Sequence, residues 1–325
     1  MRGSHTRGMA RKLRVQYPGA IYHVMNRGDR REPIFHDERD RSRFFETLGQ
    51  ACGKTGWQVH AWCLIPNHFH LVIETPQANL VAGMKWLLGT YTSRFNRRHR
   101  LFGHLFSGRY KALIVDGSGN GYLRTVCDYV HLNPVRAKQL KVDQPLRNYP
   151  WSSYGEYLKA PAQRPGWLRV DRLWGEMGIR QDSAAGRRQF EVMMEERRRR
   201  DEPGEWKAIR RGWCLGEERF RQELLEAMSE PMGRQYYGGA ERQETEEAKA
   251  ERVVAEELKR RKWDREELKK RRKGDKEKVK MARRLRSETT MTLDWITKRL
   301  AMGVAGYAAQ CLRKAERKKY AVLRD

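Results

Sequence analysis

The chain has 325 residues, with 68 Lys or Arg against 41 Asp or Glu, a net charge of +27 at pH 7. That length holds two or three domains, and the charge goes well beyond what solubility needs, so a polyanionic partner, most simply nucleic acid, is expected. No apolar run approaches the ~18 residues of a membrane span and no secretory signal is visible, which argues against a membrane protein.

The five cysteines are scattered without a CxxC pair, which fits reduced thiols in a cytosolic protein and argues against a zinc knuckle; the expected location is cytoplasmic and nucleoid-associated. The opening MRGSHTRG resembles a vector-encoded leader, with Met9 the expected start. Residues 20–27, AIYHVMNR, predict a strand rich in aromatic and branched side chains. Asp37 is the expected N-cap of a helix in which Phe44, Phe45, Leu48 and Cys52 recur at helical spacing. WQVHAWCL (57–64) and HFHLVIET (68–75) flank the turn signal Pro66-Asn67 and predict a hairpin. Leu80, Met84, Leu87, Leu88, Tyr91 and Phe95 make the stripe of a second helix. GRYKALIVD (108–116) predicts a fourth strand, and GYLRTVCDYVHL (121–132) a third helix that Pro134 stops. The order βαββαβ is the ferredoxin-like, split-βαβ pattern with one appended helix. It implies an α+β fold with helices on one face of the sheet and the other face free.

Pro and Gly over 149–167 mark a domain exit. The expected division is a catalytic domain over 9–160, a helical linker region over 161–240, a charged helical spacer over 241–285 and a helix-turn-helix over 286–325. In that last segment Thr292 is the expected cap, and Leu293, Ile296 and Leu300 are the buried stripe of the first helix. After Ala301-Met302-Gly303, a second helix is expected to bury Val304, Ala308 and Leu312 and to turn Tyr307, Gln310, Arg313 and Lys314 outward. Those four are candidate contacts to double-stranded DNA. An ordinary helical hairpin has the same pattern.

His68 and His70 stand in LIPNHFHLVIET, where i and i+2 side chains share a strand face about 7 Å apart. A same-face pair suits a metal ion or an anion better than a core, although a single buried histidine bonded to carbonyls is the commoner arrangement. GQACGKT (49–55) resembles a phosphate-binding loop but has one residue too few between its glycines, so a nucleotide-driven mechanism is not expected. On the third helix Tyr129 and Asn133 are i, i+4 neighbours, which brings a phenol and an amide oxygen toward one point. A boundary tyrosine and a helix-end asparagine are the ordinary alternatives, and Tyr110 and Tyr122 are rival nucleophiles.

YPGAIYHVMNRG, AWCLIPNHFHLVIETP, FNRRH, FSGRYKALIVD, YLRTVCDYVHLNPVRA and YPWSSY together resemble the REP-associated tyrosine transposases, single-tyrosine members of the HUH endonucleases. The resemblance runs from about Tyr17 to Tyr154, with the blocks in the family's order. It implies that His68, His70 and Asn133 hold a divalent cation, Mg²⁺ or Mn²⁺, and that Tyr129 is the nucleophile. The block DYVHLNP favours Tyr129 over its rivals.

The resemblance further implies single-stranded or hairpin DNA as substrate, a 5′-phosphotyrosine intermediate, and a monomer or homodimer. Arg27, Arg30, Arg97, Arg98, Arg109 and Lys111 are the expected phosphate contacts, solubility being the alternative for each. The C-terminal half resembles, more loosely, helical extensions that end in a helix-turn-helix. The expected function is DNA nicking and strand joining. Its rival is a DNA-binding regulator or hairpin binder with a vestigial nuclease, while a zinc hydrolase lacks a general-base carboxylate near the histidines.

Overall fold

The computed structural model describes residues 15–141, 143–202, 204–229 and 246–322; the expected leader and the expected boundary near 241 lie outside them. Strands β1 (Ala20–Arg27), β2 (Gln58–Ile65), β3 (His68–Thr75) and β4 (Lys111–Val115) form an antiparallel sheet ordered β2-β3-β1-β4. This is the ferredoxin-like arrangement. Helices α1 (Glu38–Thr55) and α2 (Leu80–His99) cover one face, where the Phe44 ring lies 4.9 Å from Phe69 and 5.0 Å from Tyr91.

Local chemistry sets the ends of α1. The Asp37 carboxylate accepts the Asp40 N–H at 3.0 Å, and Gly56 closes the helix with φ of 72° in the left-handed region. Where α2 meets the α1–β2 turn, the chain comes so close that a Cβ on Gly83 would lie 2.1 Å from the Trp57 ring. Trp57 is held there by its Nε1–H, which donates to Asn79 Oδ1 at 2.8 Å.

The second face of the sheet is not free, contrary to the expectation from element order. Every residue of β3 is buried, so both faces need cover. Helix α3 (Tyr122–His131) supplies part of it with Leu123, Val126 and Val130, and runs on into the short α4 (Asn133–Arg136). Helix α3 ends at His131, as Pro134 predicts, and Pro134 itself sits in the first turn of α4, where a missing N–H costs nothing.

Helices α5 (Ser153–Tyr157), α6 (Asp171–Glu176), α7 (Ala184–Arg199), α8 (Lys207–Arg211) and α9 (Glu218–Ser229) follow. Their region contributes Tyr154, Tyr157, Trp174, Phe190, Trp206 and Leu224 to the same apolar core as the sheet. Between α8 and α9 a two-residue strand, β5 (Cys214–Leu215), pairs in parallel with β4.

Helices α10 (Glu246–Arg261), α11 (Glu267–Lys270), α12 (Lys276–Glu288), α13 (Leu293–Arg299) and α14 (Ala305–Val322) share a second core around Val254, Leu258, Leu285, Ile296, Leu300 and Leu312. Thr292 caps α13 by accepting the Trp295 N–H at 3.2 Å. Val304, expected in the buried stripe, is 72% exposed. It precedes α14, and Gly303 turns the chain there with φ of 85°, so helical spacing does not carry through the turn. This second unit docks on α1: Lys54 Nζ donates to the carbonyls of Arg286 and Thr289, which cap the exit of α12. Among the described residues no helix is long and apolar enough to cross a membrane.

Candidate active site

Strand register builds the site. The β1–β3 pairing places Met25 opposite His70 and Arg27 opposite His68, so His23, His68 and His70 share the sheet face beneath α3. The His68 and His70 rings are 5.0 Å apart, and His23 stacks on His70 at 5.1 Å. The contacts of these rings assign their protons. Asn133 Nδ2 donates to His70 Nε2 at 3.2 Å, so that nitrogen carries the lone pair. His70 Nδ1 therefore holds the proton and donates it to His23 Nε2 at 2.9 Å. His68 Nδ1 donates likewise to Asn67 Oδ1 at 2.7 Å. Both members of the pair thus turn their Nε2 lone pairs away from the strand's own partners.

Burial keeps these rings neutral. It pushes His68 down to about 4, with the Arg27 charge adding to the effect, and lowers His23 to about 3, helped by Arg136. His70, 1% exposed, is pushed well below its ordinary value by burial first and then by the neighbouring imidazoles. Neutral imidazole is the form that binds metal.

Helix α3 brings Tyr129 over the pair. Its ring meets His23 at 5.5 Å and His70 at 5.6 Å, both edge-on. One turn later Asn133 is 5% exposed, and its Oδ1 is buried without a hydrogen-bond partner among the described residues. Turning the Asn133 amide over would free the His70 Nε2 lone pair and set the orphaned oxygen beside it and His68, a donor set that fits a divalent cation, with Mn²⁺ accepting such a mixed N/O set more readily than Mg²⁺. His68, His70 and Asn133 are the residues that would hold it.

Sequence reading missed the frame around Tyr129. The Arg136 guanidinium lies 4.3 Å from the Tyr129 ring centroid and 4.7 Å from that of Trp206, and also donates to the Tyr129 carbonyl. Trp206 packs beside that guanidinium, 5.6 Å from Tyr129, and its Nε1–H donates to Asp201 at 2.6 Å. A groove of about 260 Å³ leads in beside the tyrosine, lined by His23, Arg27, Lys111, Ile209 and Arg210 among others.

Residues 16–133 match the family model described as IS200-like transposase. The match covers about a third of the chain. A solved structure of a REP-associated tyrosine transposase bound to a REP hairpin is similar at 15% identity, over 50% of this chain and 90% of that one, with a TM-score of 0.38. No curated protein matches the chain. The matched residues overlap the stretch from Tyr17 to Tyr154 that carries the sequence resemblance.

Within the sheet-bearing domain the predicted residues fall into two groups. His68, His70, Tyr129 and Asn133 come together, with Arg27 and Lys111 along their groove. Arg109 and Lys111 line an adjoining surface with Arg210 and Arg211, and Arg30 is exposed in the turn after β1. Arg97 and Arg98 lie elsewhere, at the end of α2, where Arg98 is paired with Asp37 and Asp40. The Tyr129 ring contacts His70 of the pair.

His36, Asp40 and His99 also gather within metal-binding distance of one another. The Asp40 carboxylate already accepts from Arg98 and the His36 N–H, and pairs with His99 at 2.9 Å. That cluster ties the start of α1 to the end of α2. Tyr307, Gln310, Arg313 and Lys314 are exposed on α14, although the Tyr307 hydroxyl leans toward Gly274.

Proposed function

We propose that the chain cleaves and rejoins single-stranded DNA, at hairpin- or repeat-associated sites, through a covalent tyrosine intermediate. The observation that carries this reading is the seating of the Tyr129 ring against His70, with the orphaned Asn133 oxygen one helical turn away. The Tyr129 oxygen attacks phosphorus, the bond from phosphorus to the 3′ oxygen breaks, and a 5′-phosphotyrosine and a free 3′-OH result. Attack by another 3′-OH reverses the step and frees the tyrosine, so the bond energy is kept without nucleotide fuel. His68, His70 and Asn133 would hold a divalent cation, Mg²⁺ or Mn²⁺, which would supply charge neutralisation at the scissile phosphate. Arg136 and Trp206 pack together against the Tyr129 ring, which limits the rotamers the nucleophile samples. Arg27 and Lys111 supply positive charge along the groove that a splayed strand would follow. Helices α13 and α14 are read as a helix-turn-helix that presents Gln310, Arg313 and Lys314 to double-stranded DNA.

Tyr129→Phe keeps the ring against its neighbours and removes only the oxygen. Wild-type protein incubated with Mn²⁺ and a labelled single strand is expected to carry label through denaturing electrophoresis, and the variant none. Tyr110→Phe and Tyr122→Phe should retain the adduct. Cleavage without an adduct in either protein would make water the nucleophile and overturn the reading. Tight DNA binding with neither cleavage nor adduct would favour the regulator.

A further inference from the structure

Helices α1 and α2 turn a second surface away from the sheet, and the C-terminal unit closes over one end of it. Where α12 meets them, Lys54, Trp86, Arg94, Arg283 and Arg286 line a groove of about 790 Å³. At Arg94 it meets a second groove of about 410 Å³, walled in part by Arg39, Arg43, Arg97 and Arg98. Some of these cations are matched: Arg284 by Glu256, Glu257 and Glu288, Arg98 by two aspartates, Arg43 by Glu46. Others are not. Lys54 donates only to carbonyls, and Arg94 donates to the neutral Thr47 and Gln50. Arg39, Arg97, Arg283 and Arg286 have no carboxylate partner among the described residues.

The gathering has a cost. Burial and then the Arg286 charge push Lys54 down to about 8, and burial, Arg43 and Arg286 lower Arg94 against the pull of Glu46. A fold that concentrates like charge at a junction, without carboxylates to match, is stabilised when an anion joins it. The surface lies behind α1 and α2, across the sheet from Tyr129. The phosphates that would seat there are therefore not the one the tyrosine attacks.

We propose that this basic track seats the backbone of a double-stranded DNA segment, gripped between the α1–α2 face of the sheet-bearing domain and α12. The proposal rests on the reading that the chain acts on DNA, and it concerns a surface separate from α14. A fixed row of guanidinium groups on packed helices matches the regular phosphate array of a stiff duplex. A flexible single strand would lose more entropy on lying along it.

The test uses the full chain and the double variant Arg283→Gln/Arg286→Gln, whose side chains lie outside the core and away from Tyr129. Binding of a short blunt duplex and of an unstructured single strand is measured over a series of salt concentrations. Duplex affinity is expected to fall about tenfold or more, and the slope of log affinity against log salt to become shallower by about two. Adduct formation on the single strand should be unchanged. Unchanged duplex affinity and slope overturn the proposal, and equal losses for both probes overturn its assignment to duplex. A wild type that shows the duplex effect but never forms an adduct leaves the track in place and removes the transposase reading instead.

Discussion

His70 can offer its Nε2 only while its other nitrogen keeps a proton and has somewhere to send it. His23 provides that acceptor at 2.9 Å, a neutral imidazole in the place where a carboxylate or carbonyl is more usual. His23→Ala is expected to weaken Mn²⁺ binding by about 10–100-fold, the usual cost of losing such a partner, with the fold retained. His23→Gln, which keeps an acceptor oxygen, should recover part of it. Titration followed by electron paramagnetic resonance of free Mn²⁺ reads both, and equal affinities in all three proteins would show that His23 only fills space. The His68–His70 pair was legible in the sequence because strand alternation puts both on one face. His23 was not, because a lone histidine in a strand usually belongs to the core and only the β1–β3 register sets it beside His70.

At the level of elements, β1 and β3 begin and end where the alternation of side chains put them, and Asp37 caps α1 as its position before an amphipathic run suggested. Pro134 marks the end of α3 as expected, and is itself at home in the first turn of the next helix. The fit of α2 against Trp57 depends on one missing side chain. Gly83→Ala places a methyl within the indole's volume, so overpacking is expected to cost about 1–3 kcal/mol despite the better helix propensity of alanine. Urea unfolding measures it. A stabilised variant would mean that Trp57 moves aside freely. Gly89→Ala, in the same helix with nothing near its Cβ position, is the control and should be neutral or stabilising.

On the scale of the molecule, several buried histidines make stability depend on pH. Burial lowers His23 and His131 to about 3 and His68 to about 4. The unfolded chain therefore takes up their protons first as pH falls. Stability is full above the ordinary value of about 6.5 and declines from there toward the folded values, at about 1.4 kcal/mol per pH unit for each histidine. His131 lies outside the Tyr129 site and contacts Ser153 Oγ at 2.8 Å, so His131→Gln isolates one share of the effect. Between pH 6.5 and 5 the variant should lose stability less steeply than wild type, and parallel curves would remove His131 from the account.

The pairing of β5 with β4 joins Ile114 to Cys214 and Val115 to Leu215, residues roughly a hundred positions apart. No pattern within a two-residue strand could have announced it, and neither Trp206 nor Arg210 carries a local mark of its role. For a chain emerging from the ribosome this pairing is a matter of timing. The four antiparallel strands are all available once β4 has left the exit tunnel, but β4 then presents an open edge and Tyr129 lacks Trp206 until the chain has been made through Leu215. During that interval the nascent protein is an unfinished sheet with the β4 edge exposed to neighbours on the same message. The family segment therefore ends, at residue 133, well before the folding unit does.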